Sequence, residues 1–416
     1  MAWAQGATDT EPYKINITYN LSSFAGQPMT SLPSSMPCLN YKPSVNNTAD
    51  FGVTLGFLKN RINLDARYYH GRSKNQILSS PLPMSSGVNS VIVNTGVLEN
   101  SGVEFVIKGK PIYNDNFKWD VSLNIGHNSN KLLSLSSGLN RIDMDNMWGN
   151  NGVFISAVVG QQYGSILGYD YIYDKKTGLP LMQDEATLGK NGYPVSMKGA
   201  LYQTTQQYGG MTPIGNSTPK VIGGLNNTFT FKNGFSIGTL VDYRFGGQIW
   251  CGSYAAMMQQ GTAPETLRER DGGGLAYTTP DGTKTNWGVI LPGVYPDGTV
   301  NNTVVHYYYK YMGYGVWSSG ADNQNWIHSS AVKTDSWVKL REVSINYMLP
   351  ESFMQKIKVF QTASVSLIGR DLFYIYSSLP DRINPEGING AGNAQGIEFA
   401  SLPSSRSFGV QLRITF

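Results

Sequence analysis

The connections between the strand-like segments of this chain alternate strictly between short and long. Ten segments carry apolar residues at every second position, the pattern of a strand with one apolar and one polar face. They centre on Tyr13–Tyr19, Phe51–Phe57, Ile62–Tyr68, Val103–Lys108, Trp119–Ile125, 219–232, Phe235–Phe245, Val343–Tyr347, Val365–Leu367 and Ser407–Phe416. Tight turns fall at Lys59-Asn60, Tyr113 to Asn116, Lys232-Asn233-Gly234 and Leu349 to about Lys356. Long excursions fall at roughly 21–47, 77–97, 127–218, 251–334 and 378–405. A soluble sandwich has no reason to sort its connections by end. A membrane-spanning up-and-down barrel has short turns on one side and long loops on the other.

That regularity predicts an all-β, antiparallel up-and-down transmembrane β-barrel wall of about ten strands. Counting back from the last strand, residues 235–250 and 361–377 run toward the loop side, and 219–231 and 335–349 run away from it. The strand-like stretch Gly164 to Tyr173 breaks this parity, so it is expected to be loop structure or an inner excursion. Aromatics near strand ends, namely Tyr68, Tyr69, Trp119, Trp250, Trp337, Tyr374, Tyr376 and Phe416, suit two interfacial girdles.

Composition narrows the partners. Charged residues make up 14% of the chain, against about 25% in ordinary soluble domains. The net charge of +4 is spread without a basic block, which argues against nucleic acid as a partner. No run of ~18 apolar residues exists, so no transmembrane helix is expected, a test to which barrels are blind. Cys38 and Cys251 are the only cysteines, and spacing does not say whether they pair. His70, His127, His306 and His328 are scattered, with no metal-ligand or nucleophile motif, so neither an enzyme nor a cofactor is expected. The stretch from Met1 to Gly6 has neither a basic nor an apolar region, so no signal peptide is read there.

Two features invite a functional reading. Arg341-Glu342 and Arg370-Asp371 place opposite charges on neighbouring positions, which face opposite ways in a regular strand. A bulge must re-phase the strand, or one charge falls on the apolar face. Ion pairing between strands on the lumen wall is the favoured role, with contact to substrate or plug as the alternative. The excursion 251–334 holds Tyr307, Tyr308, Tyr309, Tyr311, Tyr314, Trp317 and Trp326. Such rings stack on sugars or anchor protein interfaces, or they pack the loop against itself.

Several blocks resemble the SusC/RagA family of TonB-linked outer-membrane proteins. The stretch Asn94-Thr95-Gly96-Val97-Leu98-Glu99-Asn100-Ser101-Gly102-Val103-Glu104 is similar to the family's N-x-G-x-x-x-N-x-G-x-E block. Phe117 to Leu132, Thr334 to Val343 (with Trp337, Arg341 and Glu342), Gly369-Arg370-Asp371, Pro385-Glu386 and Pro403 to Phe416 follow in the family's order. Asp371 departs from it, the family usually having Asn there. The resemblance implies a bacterial outer-membrane barrel of the 22-stranded plugged class. It also implies TonB-driven import of glycans or peptides beneath a SusD-like surface lipoprotein, in contact with outer-membrane lipid. On this reading residues 1–416 are the C-terminal portion of the barrel, with plug, TonB box, signal peptide and about half of the barrel missing. TonB would act only through the missing part, and the chain alone would not be transport-competent. Strand 407–416 is then expected to pair with 361–377 and leave its other edge open. The alternatives are a soluble all-β carbohydrate-binding or glycan-degrading protein, and a small ten-stranded barrel that closes on itself.

Overall fold

The computed structural model describes residues 2–5, 16–37, 42–82, 84–94, 96–135, 139–147, 152–312, 327–357, 359–389 and 395–416. Ten strands form one sheet in sequential order, every pairing antiparallel. They are β1 (Ala2–Gln5), β2 (Val45–Phe57), β3 (Ile62–Lys74), β4 (Val97–Tyr113), β5 (Phe117–Ser134), β6 (Val221–Phe231), β7 (Phe235–Phe245), β8 (Trp337–Met348), β9 (Thr362–Ser377) and β10 (Ser407–Thr415). We call this sheet the wall.

The register carries the alternation across the wall. Leu55, Leu64, Ile107, Leu123, Leu225, Val241, Leu340 and Phe373 lie opposite one another in turn, forming an apolar row through β2 to β9. One position along, Gly56, Asn63, Lys108, Ser122, Asn226, Leu240, Glu342 and Arg370 form a mostly polar row on the other face. The apolar face is uncovered: Phe51 is 67% exposed, Phe373 50% and Val410 73%.

The connections sort by end as the spacing predicts. Residues 58–61, 114–116, 232–234 and 349–361 close one end, the last with a short helix at Glu351–Ile357. Residues 75–96, 135–220, 246–336 and 378–406 leave from the other end. Two expectations are corrected here. The first wall strand among the described residues is Ala2–Gln5, which precedes the strand expected over 13–19. Tyr13 and Ile15 lie outside the described residues, and Asn16 to Tyr19 have no strand pairing. The strand expected over 235–250 ends at Phe245, because Gly246 and Gly247 take left-handed φ values of 73° and 80°. Among the described residues β10 pairs with β9 alone, and β1 and β10 stand at opposite ends of the sheet.

The long connections build a lobe with its own sheets. Residues 141–147, 153–158, 165–168 and 212–216 form a four-stranded sheet, so Ser165–Gly168 is loop structure, as its parity requires. Residues 332–334, 248–251 and 397–398 form a second sheet. Val153, Ile155, Ile166, Trp250, Ala255, Ala331 and Ile397 pack into one core drawn from three excursions. Met182, Leu188, Leu201, Leu291, Val305 and Ile327 form another, drawn from two.

Candidate functional site on the polar face of the wall

The site is built where β7, β8 and β9 lose their regular register. Pairing shifts between Leu240 and Val241 opposite β8, and again between Leu340 and Glu342 opposite β9. Asp371 takes a left-handed φ of 53°. An extra residue in a strand re-aims the side chains around it. That resolves the two neighbouring charge pairs: their members exchange partners across strands. Arg341 reaches Asp371 at 2.6 Å, and Arg370 reaches Glu342 at 2.8 Å.

Arg341 is the centre of the network. Its Nε donates to Asp242 at 2.7 Å, and its terminal nitrogens donate to Asp371 at 2.6 Å and Glu386 at 2.5 Å. Lys339, 2% exposed, bonds Asp371 at 2.9 Å and Glu386 at 2.6 Å, with its Nζ 4.9 Å from the Tyr374 ring centre. Tyr374 donates from its hydroxyl to Glu386 at 2.8 Å. Trp337 packs edge-on against Tyr374 at 6.0 Å and lies 5.9 Å from the Arg341 guanidinium. Two cations thus hold three carboxylates, and the surplus charge is negative. Glu386 comes from the 378–406 excursion, so the network ties that excursion to the wall. Burial raises the Glu386 carboxyl, but Arg341, Lys339 and Tyr374 outweigh it and hold the group below the usual range. The more exposed Arg370–Glu342 pair contributes little by itself.

Beside this network lies a concavity of about 690 Å³ lined by Glu104, Asn124, Asp242, Arg244 and Trp337 among others. Other residues of the family-like blocks take structural positions. Asn94 accepts from the Lys42 amide at 2.9 Å and donates to the carbonyls of Lys42 and Asn75, at 2.8 and 2.9 Å. Gly102 leaves room for the Tyr69 ring, which a Cβ there would strike. Gly96 meets the backbone of Ser134 closely. Asn100 sits in register between Gly71 and Asn130. Gly369 floors an apolar groove of about 460 Å³ beside Phe408 on the other face. Phe416 packs edge-on to Phe360 at 5.2 Å.

Two expectations for aromatics need correction. Trp250 is not at a strand end facing outward; it is 1% exposed inside the lobe core. Trp337, Tyr374 and Tyr69 belong to the polar face, Tyr69 donating to Asn128 at 2.9 Å. Tyr68, Tyr376 and Phe416 are exposed, as a girdle requires. In the 251–334 excursion Tyr311 is 3% exposed and donates to Glu269 at 2.7 Å. Tyr307 packs against the same cluster, and Tyr309 against the neighbouring core. Tyr308 is 50% exposed, and Tyr307 and Tyr309 are half-buried. Tyr314, Trp317 and Trp326 lie outside the described residues.

Cys251 is a free, buried thiol 3.4 Å from the Glu398 carboxylate, which also accepts from the Ser253 and Ser401 hydroxyls at 2.7 and 2.8 Å. Burial, then Glu398, pushes that thiol up, so it stays protonated. Cys38 lies outside the described residues. His306 sits among Tyr277, Trp287 and Tyr307, whereas His328 stacks on Tyr169. Burial lowers His328 to about 3, and the neutral ring accepts from the Tyr169 amide at 3.0 Å.

Reasoning from sequence alone missed Asp242, Lys339 and Glu386 as site residues. Asp242 and Lys339 lie opposite each other at the parity of the polar face, which was their signal, whereas Glu386 is brought in from the 378–406 excursion by folding.

A sequential antiparallel sheet, apolar on one face, ion-paired on the other and looped at one end, defines a wall of the β-barrel class. No family model matches the chain. It is 28% identical over 396 residues to TonB-dependent receptor P3 of Formosa agariphila, covering 91% of this chain and 34% of that receptor. It is 28% identical over 204 residues to TonB-dependent receptor SusC of Bacteroides thetaiotaomicron, covering 47% of this chain and 19% of SusC. Its structure is similar to that of the RagAB peptide importer in the closed-closed state, with a TM-score of 0.63 and 19% identity, over 97% of this chain and 39% of that one. The chain is thus similar to TonB-dependent receptors along nine-tenths of its length, and its fold matches that of the RagAB chain. It spans about a third of the length of the curated relatives it matches over nine-tenths of its own length.

Proposed function

We propose that the chain forms barrel wall and external loops of a bacterial outer-membrane TonB-dependent importer. The imported nutrients are oligosaccharides or peptides, and a SusD-like surface lipoprotein is the working partner. The carrying observation is the uncovered apolar row that crosses eight wall strands from Leu55 to Phe373, at right angles to a strict sorting of turns and loops. An apolar face of that extent is stable only against an apolar medium, and a bilayer supplies one. The polar face then lines the lumen, and the lobe stands outside the cell. Similarity to receptors and importers supports transport rather than catalysis. The soluble carbohydrate-binding or glycan-degrading alternative leaves Phe408, Val410 and Phe373 in water.

Fractionation of cells that make the protein tests this reading. The expected result is recovery from the outer-membrane fraction in detergent, with faster electrophoretic migration before heating than after. Recovery in buffer without detergent overturns it. Deletion of the gene is expected to abolish growth on particular oligosaccharides or on peptides, and the set that is lost identifies the cargo.

A further inference from the structure

The ladder between β7 and β8 stops at Arg244–Trp337 and resumes at Gln248–Thr334 inside the lobe. Between these points stand Gly246 and Gly247 on one side, both left-handed, and Asp335 and Ser336 on the other. Few bonds hold the interruption. The Asp335 amide donates to the Gly247 carbonyl at 3.0 Å, and the Gly246 amide to the Ser336 hydroxyl at 2.9 Å. Ser378, from the 378–406 excursion, bonds Ser336 and Thr334. A pair of strands that bends at glycines is the geometry in which a few residues absorb a rotation.

Inside the bend lies a carboxylate with no hydrogen bond. Asp335 is fully buried, and neither of its oxygens is hydrogen-bonded. Its one ionic partner among the described residues is Arg244, whose Nε is 3.2 Å from Oδ2 and likewise unbonded, while another nitrogen of Arg244 donates to the Ser217 carbonyl at 2.6 Å. A buried, poorly bonded ion pair leaves much of its desolvation cost uncompensated.

We propose that Gly246-Gly247 and Asp335-Ser336 form a hinge between wall and lobe, and that the Asp335–Arg244 contact is its proton-sensitive latch. The charged groups around the latch are few. Arg244 faces Asp335 from β7, Glu386 acts on it from the 378–406 excursion, and the Tyr374 hydroxyl lies in its field from β9. Lys339, Arg341, Asp242 and Asp371 are committed to their own network. Lys333, on the lobe strand next to Asp335, lies over the Tyr254 ring at 4.3 Å. The Lys220 stem lies against Gly246. Burial drives the Asp335 carboxyl up to about 6, Arg244 opposing and Glu386 adding to the rise. The closed hinge therefore holds more protons than the open one. Closure is favoured below about pH 6 and loosens as pH rises through that value, when an ionised Asp335 gains by meeting water.

Hydrogen exchange on the full protein tests the hinge, with the amides of 248–251 and 332–334 compared at about pH 5 and about pH 8 after correction for the chemical step. Amides of β6 and β7 serve as the internal reference. In the natural protein the hinge amides are expected to exchange about tenfold faster relative to the wall at the higher pH, one unit of differential protonation being a factor of ten. Asp335→Asn should remove that dependence and keep the amides slow. Gly247→Ala, whose Cβ would press the Ser217 carbonyl at 2.9 Å, should speed exchange at both pH values without removing the dependence. A natural protein with no pH dependence at the hinge overturns the latch without recourse to any variant. An unchanged dependence in Asp335→Asn does the same. Unaltered exchange in Gly247→Ala overturns the hinge.

Discussion

Wall and lobe are made of the same residue types and hold together differently. In the wall, β-ladders supply the order, and side chains stay open: Leu55, Ile107 and Phe373 are all exposed. In the lobe, Ile155 and Ile166 have no exposed surface and Trp250 has 1%. The fully buried apolar residues of the chain are concentrated in its long connections. The difference teaches that the connections are the self-sufficient domain, whereas the wall is half of an interface with its surroundings. Backbone pairing is indifferent to the medium beside it, but an apolar row is not.

Four substitutions would break or sharpen that contrast. Trp250→Ala should cost about 3–5 kcal/mol, since it empties the centre of a core shared by three excursions. Limited proteolysis is expected to cut within 135–220 and 246–336 while the wall stays intact; equal loss of both regions would abolish the distinction. Leu225→Arg places a charge in the middle of the apolar row and should cost about 2–4 kcal/mol in a bilayer, read as a lower urea midpoint after folding into vesicles. An unchanged midpoint would mean that this face does not meet lipid. Arg341→Met strips Asp242 of its ionic partner and leaves Asp371 and Glu386 to Lys339 and the Tyr374 hydroxyl, and should cost about 1.5–3 kcal/mol, the worth of hydrogen bonds to charged groups. It should also release the 378–406 excursion, seen as faster exchange at Glu386 and Asn384. Tyr308→Ala, on an exposed ring, should change stability by less than about 0.5 kcal/mol. A larger loss would show that the ring packs, and a loss of binding alone would show that it meets cargo.

The wall was legible because period-two patterning survives in one dimension. Phe235 to Phe245 alternate with one break at Leu240, and the structure pairs Ser236 to Phe245 residue for residue with β6. The first strand was not legible, because Ala2–Gln5 is too short to show a period and its pairing to Val45–Thr48 depends on residues far along the chain. Trp250 was misplaced because aromatic character is the same at a membrane interface and in a core. Only the glycine pair before it marks the end of the wall. The ion network was half legible. Arg341-Glu342 and Arg370-Asp371 flagged a bulge, but the partner from the 378–406 excursion, Glu386, is linked by folding rather than by spacing. The lobe cores were illegible since their members, such as Ile155, Trp250 and Ile397, are scattered through irregular stretches.

The three-way origin of that core has a consequence for how such loops can be exchanged between relatives. A recombinant that imports only the 135–220 stretch from another receptor sets foreign side chains against a resident Trp250 and Ile397. The inherited module is the trio of excursions, and recombination points that respect it fall in the wall, where the backbone pairing of neighbouring strands tolerates a change of side chain. Diversity in what the lobe recognises would therefore travel as a block, and the boundaries of that block are the end of β5 and the start of β10.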